Sequence, residues 1–240
     1  MLKYEDLKDR PREQLAATGL KAEEFDGLLA AFSQAYATTY RGDKTVEGQP
    51  RQRQQGGGNK GVLSGDEDKL LFILVYEKTY PLQTLQGLQF GMSQGQVNHW
   101  IHRLTPILQA TLANLGMTPE RDGQALAGNK LANEGGADLI IDGTERRRQR
   151  PKASTQQTDH YSGKKKAHTD KNITVVNRQT KKVAYLSSTR PGKTHDKKLA
   201  DESAIVYPKN THLGQDTGFQ GYAPAHVLSY QPKKRHGDAS

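Results

Sequence analysis

The hydrophobic period changes once along these 240 residues, and the change divides what the chain can fold into. Up to Leu115 the apolar residues fall at helical spacing. Leu20, Phe25, Leu28, Leu29, Phe32 and Tyr36 form one such set; Leu70, Leu71, Ile73, Leu74 and Val75 form a second; Val97, Trp100, Ile101 and Leu104 form a third. Residues 117–136 are rich in Gly and Asn and read as a boundary. Beyond them come short strand-like runs at 137–142, 173–176, 183–186 and 212–216, with one short helix at about 195–203 before the last. The expected class is α+β overall, an all-α region followed by an α/β domain.

Within the helical part, residues 1–41 read as N-terminal helices and 42–63 as a basic flexible linker with a Gly triplet and almost no apolar content. Residues 64–116 read as a compact helical domain. Ser64-Gly65-Asp66-Glu67 has the pattern of a capping box. A helix over about 82–90 is followed by a turn at Gly91-Met92. A second box, Ser93 to Gln96, then opens another helix, and Thr105-Pro106 reads as the start of a fourth. A short helix, a glycine turn and a capped helix have helix-turn-helix spacing, and an ordinary three-helix bundle has the same pattern. As a recognition helix, the capped segment offers Gln94, Gln96, Asn98, His99, His102 and Arg103 at polar positions.

Charge is unevenly spread. The chain is +9 overall, yet residues 145–198 hold 16 Lys/Arg against 4 Asp/Glu, a net +12 in that stretch alone. Arg146, Arg147, Arg148, Arg150 and Lys152 form one cluster and Lys164, Lys165 and Lys166 another. Such clusters neutralise phosphates and release counterions, so nucleic acid is the first partner to consider. Cysteine is absent, which excludes disulfides and thiolate chemistry. The N-terminus has no secretory pattern, and no run approaches the roughly 18 apolar residues of a membrane span. The expectation is a soluble, cytoplasmic protein.

Asp142 and Asp216 each end an apolar strand-like run. On neighbouring strands, two such carboxylates would converge at one sheet edge. Hard divalent cations take one or two carboxylates plus water and phosphate oxygens. A capping or turn role is the commoner fate of a single Asp in that position.

Five blocks then occur in a fixed order: Asp142-Gly143-Thr144-Glu145-Arg146; Arg150-Pro151; residues 161–172 with Tyr161-Ser162-Gly163 and His168; Gly192-Lys193-Thr194-His195-Asp196; and Asp216-Thr217-Gly218-Phe219-Gln220-Gly221-Tyr222. Together they resemble the DDE transposases of the group named for insertion sequence five, over about 60–235. The resemblance implies a helix-turn-helix DNA-binding domain at 64–116 and a partial RNase H-like DDE endonuclease domain at 137–240. It implies Asp142 and Asp216 as the first and second catalytic, metal-binding acids. It further implies Mg2+ or Mn2+ as cofactor, double-stranded DNA of transposon terminal inverted repeats as partner, and association with the nucleoid when bound. Homo-oligomerisation on DNA stays open. The group's third acid, a Glu on a downstream helix, does not occur before Ser240, so these residues alone are expected to be inactive in cleavage. Competing readings are a DNA-binding fragment that regulates an intact transposase, and a basic RNA-binding protein. His195 is expected to be a hydrogen-bonded structural residue beside Asp196.

Overall fold

The computed structural model describes residues 1–40, 49–50 and 61–232. The stretch read as a linker therefore lies almost wholly outside the described residues, as does the polar segment 233–240. The chain forms two compact units, 1–115 and 116–240.

The first unit is helical: α1 (Pro11–Thr18), α2 (Ala22–Thr39), α3 (Asp66–Thr79), α4 (Gln83–Phe90) and α5 (Gln94–Asn114). Phe25 and Phe32 of α2 share one fully buried core with Leu70, Leu71, Phe72 and Ile73 of α3, Phe90 of α4 and Leu104 of α5. Burying each such side chain contributes about 1.5–3 kcal/mol. The N-terminal helices and the helix-turn-helix segment are thus one packed body in this structure.

Between α4 and α5 the chain reverses at Gly91, whose φ of 67° is left-handed and whose N–H caps the Gly87 carbonyl. A side chain at Gly87 would meet the Met92 carbonyl oxygen at 2.4 Å, so both glycines are needed for the turn. Ser93 and Gln96 form the expected capping box. The box expected at Ser64 does not form; Gly65 is the N-cap of α3 and makes no side-chain cap bond. Nor does Thr105-Pro106 start a new helix. Pro106 lies inside the continuous α5. A proline there costs about 3 kcal/mol, but Val97, Ile101, Leu104, Ile107 and Leu108 stay on one buried stripe only if the helix runs through.

The second unit is built on a mixed seven-stranded sheet. Its elements are α6 (Lys130–Asn133), β1 (Asp138–Arg147), α7 (Ser154–His160), β2 (Tyr161–Ser162), β3 (Ala167–Asn177), β4 (Val183–Leu186), β5 (Arg190–Pro191), α8 (Asp196–Glu202), β6 (Thr211–Gln215) and β7 (Val227–Tyr230). The path runs β2-β3-β1-β6-β7, with β4 and β5 also on β3. β1 pairs antiparallel with β3 and parallel with β6, and the chain between β4 and β6 carries α8. One core joins Leu139 and Ile141 of β1, Ile173 and Val175 of β3, Leu199 of α8 and Leu213 of β6. Leu126, Leu131 and Ala132 belong to it too, so the segment read as a boundary packs within the unit. The architecture is the expected α+β class.

Candidate active site

Side chains alternate across β1. Leu139 and Ile141 are buried, whereas Ile140, Asp142 and Thr144 face out. The parallel register sets Ile140 beside Gly214 and Ile141 beside Gln215, the last pair of the ladder, and Asp142 and Asp216 each come next along their chains, Asp216 just past the end of β6 as the N-cap of a short 3-10 turn. Both acids line one open groove with Ile140, Arg178, Gly214 and Tyr230. Gly214 leaves room for the Tyr230 ring, whose hydroxyl lies 3.0 Å from where a Cβ would sit, and Arg178 donates to that hydroxyl at 2.8 Å.

Each acid spends one oxygen on its own chain. Asp142 Oδ1 accepts from the Gly143 N–H at 2.7 Å, and Asp216 Oδ1 accepts from the Gly218 N–H at 2.8 Å. These bonds tie one oxygen of each carboxylate, and both side chains are exposed. Two exposed hard oxygen donors lining one groove fit a divalent cation that keeps several waters. No cluster of three or more His, Cys, Asp or Glu able to hold a metal occurs among the described residues.

A third carboxylate, to which the sequence reading gave no role, lies near them. Asp196, the first residue of α8, sits 2.5 Å (Oδ1) from where a Cβ on Gly143 would be. Its Oδ2 and Asp216 Oδ1 are each 3.0 Å from a Cβ position on Gly218, so the two oxygens lie within twice that distance of one another. Asp196 is not free, however. Its Oδ1 is 2.9 Å from Lys171 Nζ, which also lies 3.2 Å from Glu145 Oε1 and donates to the Thr194 carbonyl at 2.8 Å. Asp196 Oδ1 has no well-aligned hydrogen bond, so its contact with Lys171 is an ion pair. Burial alone would push the Lys171 ammonium toward neutrality. Asp196 and Glu145 outweigh burial and hold its pKa above the ordinary value. Burial likewise favours neutral Glu145, but hydrogen bonds from Ser162, Lys171 and Thr169, with the Lys171 charge, bring it below the ordinary carboxylate range. In the sequence Asp196 stood in the Gly192–Asp196 block of the resemblance, with no acid role assigned to it.

His195 caps α8 without a side-chain hydrogen bond and is exposed, contrary to the structural role expected for it.

The residues read as DNA-binding are unequally available. On α5, Gln94, Gln96, His99 and His102 are exposed and Asn98 is half-buried. Gln94 bonds Gln83, and Gln96 closes the capping box. Arg103 is turned inward: its guanidinium lies 3.9 Å from the Tyr40 ring centre and 5.3 Å from that of Trp100. In the second unit, Arg146 donates to Asn172, Arg148 pairs with Asp170, and Arg150 bonds Gln157. Arg147, Lys164, Lys165 and Lys166 are exposed and make no ion pair among the described residues. No helix of the described residues is long and apolar enough to cross a membrane.

Comparison with known proteins finds relatives of both units. A family model described as DDE superfamily endonuclease matches residues 141–239, and one described as the helix-turn-helix of DDE superfamily endonuclease matches 65–114. The probable transposase for insertion sequence element IS702 of Microchaete diplosiphon is 26% identical over 219 residues, covering 91% of this chain and 74% of its own length. No solved structure matches significantly. The chain thus carries, in order, a segment similar to the helix-turn-helix of DDE superfamily endonucleases and a segment similar to the DDE superfamily endonuclease itself.

Proposed function

We propose that this protein binds the terminal inverted repeats of an insertion sequence and supplies Asp142 and Asp216 to metal-dependent DNA cleavage and strand transfer. The observation that carries this is the parallel pairing of β1 with β6 up to Ile141 and Gln215, the residues just before the two acids, with Asp142 and Asp216 lining one groove. Bound there, Mg2+ or Mn2+ would polarise a phosphate oxygen and stabilise charge on the reacting oxygens. The protein's own part is positional. The backbone N–H bonds at Gly143 and Gly218 aim the two acids, Arg146 extends the outward face of β1, and the cations of 146–166 hold the DNA backbone. The α5 face around Gln94, His99 and His102 would read base edges in the major groove. Work on DNA puts the protein at the nucleoid, and a homo-oligomer would let two ends be held together.

A second reading is DNA binding without cleavage by these residues, as a regulator of an intact transposase. It is favoured by there being no group of three or more His, Cys, Asp or Glu able to hold a metal among the described residues, and by Asp196 being tied to Lys171. One assay separates the two: a duplex carrying an inverted repeat, incubated with Mg2+ or Mn2+. Nicking that is lost in Asp142→Ala supports the enzymatic reading. Specific binding with no nicking supports the regulatory one. Equal affinity for all duplexes, unchanged in a His99→Ala/His102→Ala variant, would remove the helix-turn-helix assignment.

A further inference from the structure

We propose that the cleft between α7 and the β2–β3 hairpin is a stacking site for a single unpaired DNA base; the proposal rests on DNA being the partner. The cleft is lined by Arg150, Gln157, Tyr161, His168 and Lys193. Tyr161 and His168 are Cα partners in the β2–β3 ladder, so both rings rise from the same rung. Their centres are 5.7 Å apart and their planes 71° from parallel. An edge-on neighbour leaves a ring face uncovered, and Tyr161 is 44% exposed. An aromatic residue left open in so short a strand contributes little to the core and offers a flat π surface to a ligand.

Cations surround that surface. Arg150 gives one N–H to Gln157 and keeps further donors. Lys193 is exposed with no ion pair among the described residues, and Lys164, Lys165 and Lys166 stand on the adjoining turn. A nucleotide carries both a flat aromatic face and an anion, and sequence-tolerant single-strand sites combine a stacking ring with cations. Paired bases show only their edges in the grooves, so a base must leave the stack to lie on Tyr161.

The position also fits. The Arg148 N–H donates to the His168 carbonyl, so the cleft adjoins the far end of β1, six residues from Asp142. At a rise of about 3.4 Å per residue that is roughly 20 Å, and at about 3.4 Å per nucleotide it is the length of about six nucleotides. A base held there would mark a point on the strand about that far from the phosphate at Asp142.

The test uses the whole 240-residue chain, fluorescein-labelled oligo(dT) and a mixed-sequence duplex. Tyr161→Ala should weaken oligo(dT) binding about 5- to 100-fold, the range of one base–aromatic stack, and leave duplex affinity within about twofold. Tyr161→Phe keeps the ring and should bind as the unsubstituted protein does. In the unsubstituted protein, oligo(dT) with one 5-iododeoxyuridine should photo-crosslink to Tyr161 or His168, mapped by mass spectrometry. Duplex binding with oligo(dT) affinity unchanged in Tyr161→Ala would overturn the stacking site and leave the DNA reading standing. Equal loss in the Phe and Ala variants, or crosslinks elsewhere, would also overturn it. Binding to neither DNA would overturn both.

Discussion

Lys171 Nζ lies 2.9 Å from Asp196 Oδ1, and the carboxylate it holds is wedged against Gly143, the residue that follows Asp142. The strand bearing one candidate acid is thereby tied to the helix that follows the β4–β5 region. The side chains of Lys171 and Glu145 are only 8% and 9% exposed, so this ion cluster is shielded from solvent screening. Removing one partner of such a cluster leaves buried charge uncompensated. Lys171→Met should lower the stability of the second unit by about 3–5 kcal/mol, read by chemical denaturation. A Lys171→Met/Glu145→Gln double variant should recover part of that loss. A loss below about 1 kcal/mol for the single variant would show that the cluster is solvated and weak.

The same cluster sets a pH dependence. Glu145 is lowered, so its contribution is present above the ordinary glutamate pKa of about 4.3 and disappears as pH falls through the lowered folded value. Lys171 is raised, so its contribution is present below about 10.4 and disappears as pH rises through the raised folded value. Stability from this cluster should be level through neutral pH and fall on the acid side. In Glu145→Gln the acid-side fall should be shallower. An acid limb of unchanged steepness in that variant would remove Glu145 from the account.

Gly143→Ala is the smallest probe of the site. Its Cβ would sit 2.5 Å from Asp196 Oδ1, closer than contact allows, so α8 or β1 must move. Overpacking of this kind typically costs about 1–3 kcal/mol. The larger consequence should fall on the groove, because the Gly143 N–H aims Asp142. Thermal melts should report the first effect and metal titration the second; a variant unchanged in both would show that Asp196 yields freely.

Arg103 should behave as a packing residue. Its guanidinium lies over Tyr40, a stack worth about 0.5–2 kcal/mol. Arg103→Ala should destabilise the first unit by that order, and Lys should not replace it, since the flat face is lost. Its effect on DNA binding should follow the fall in stability. A variant of full stability that loses only DNA affinity would return Arg103 to the recognition surface.

The two-unit order, and the neighbouring places of Asp142 and Asp216 along one groove, were legible because each rests on a periodicity or on a residue at or just past a strand end. Asp142 and Asp216 converge because Ile140, Ile141 and the chain before Asp216 set a parallel register, which alternation anticipates. The Lys171 cluster was not legible. Lys171 lies in a run of charges that looks solvated, and only the pairing of Glu145 with Lys171 across β1 and β3 shows that its side chain turns inward. The Arg103 stack was hidden for a similar reason: its aromatic partner Tyr40 is distant in sequence, so helical spacing alone grouped it with the exposed polar residues. The extra strands β2, β5 and β7 have two to four residues each and little burial to mark them.

Salt dependence sorts the basic stretch. Arg147 has no ion pair among the described residues, whereas Arg148 is paired with Asp170. Each phosphate contact contributes about 0.9 to the slope of log K against log salt on duplex DNA. Arg147→Ala should lower the slope by about that amount, and Arg148→Ala by less. Equal slopes for both variants and the unsubstituted protein would place the DNA on another surface.

The central claim, that Asp142 and Asp216 form one metal-holding pair, is tested most directly by Mn2+ binding followed by electron paramagnetic resonance on the DNA-bound protein. The unsubstituted chain should bind Mn2+, and Asp142→Asn and Asp216→Asn should each abolish that signal while DNA affinity is retained. Mn2+ binding that survives either substitution, or that is absent from the unsubstituted chain, would contradict the account.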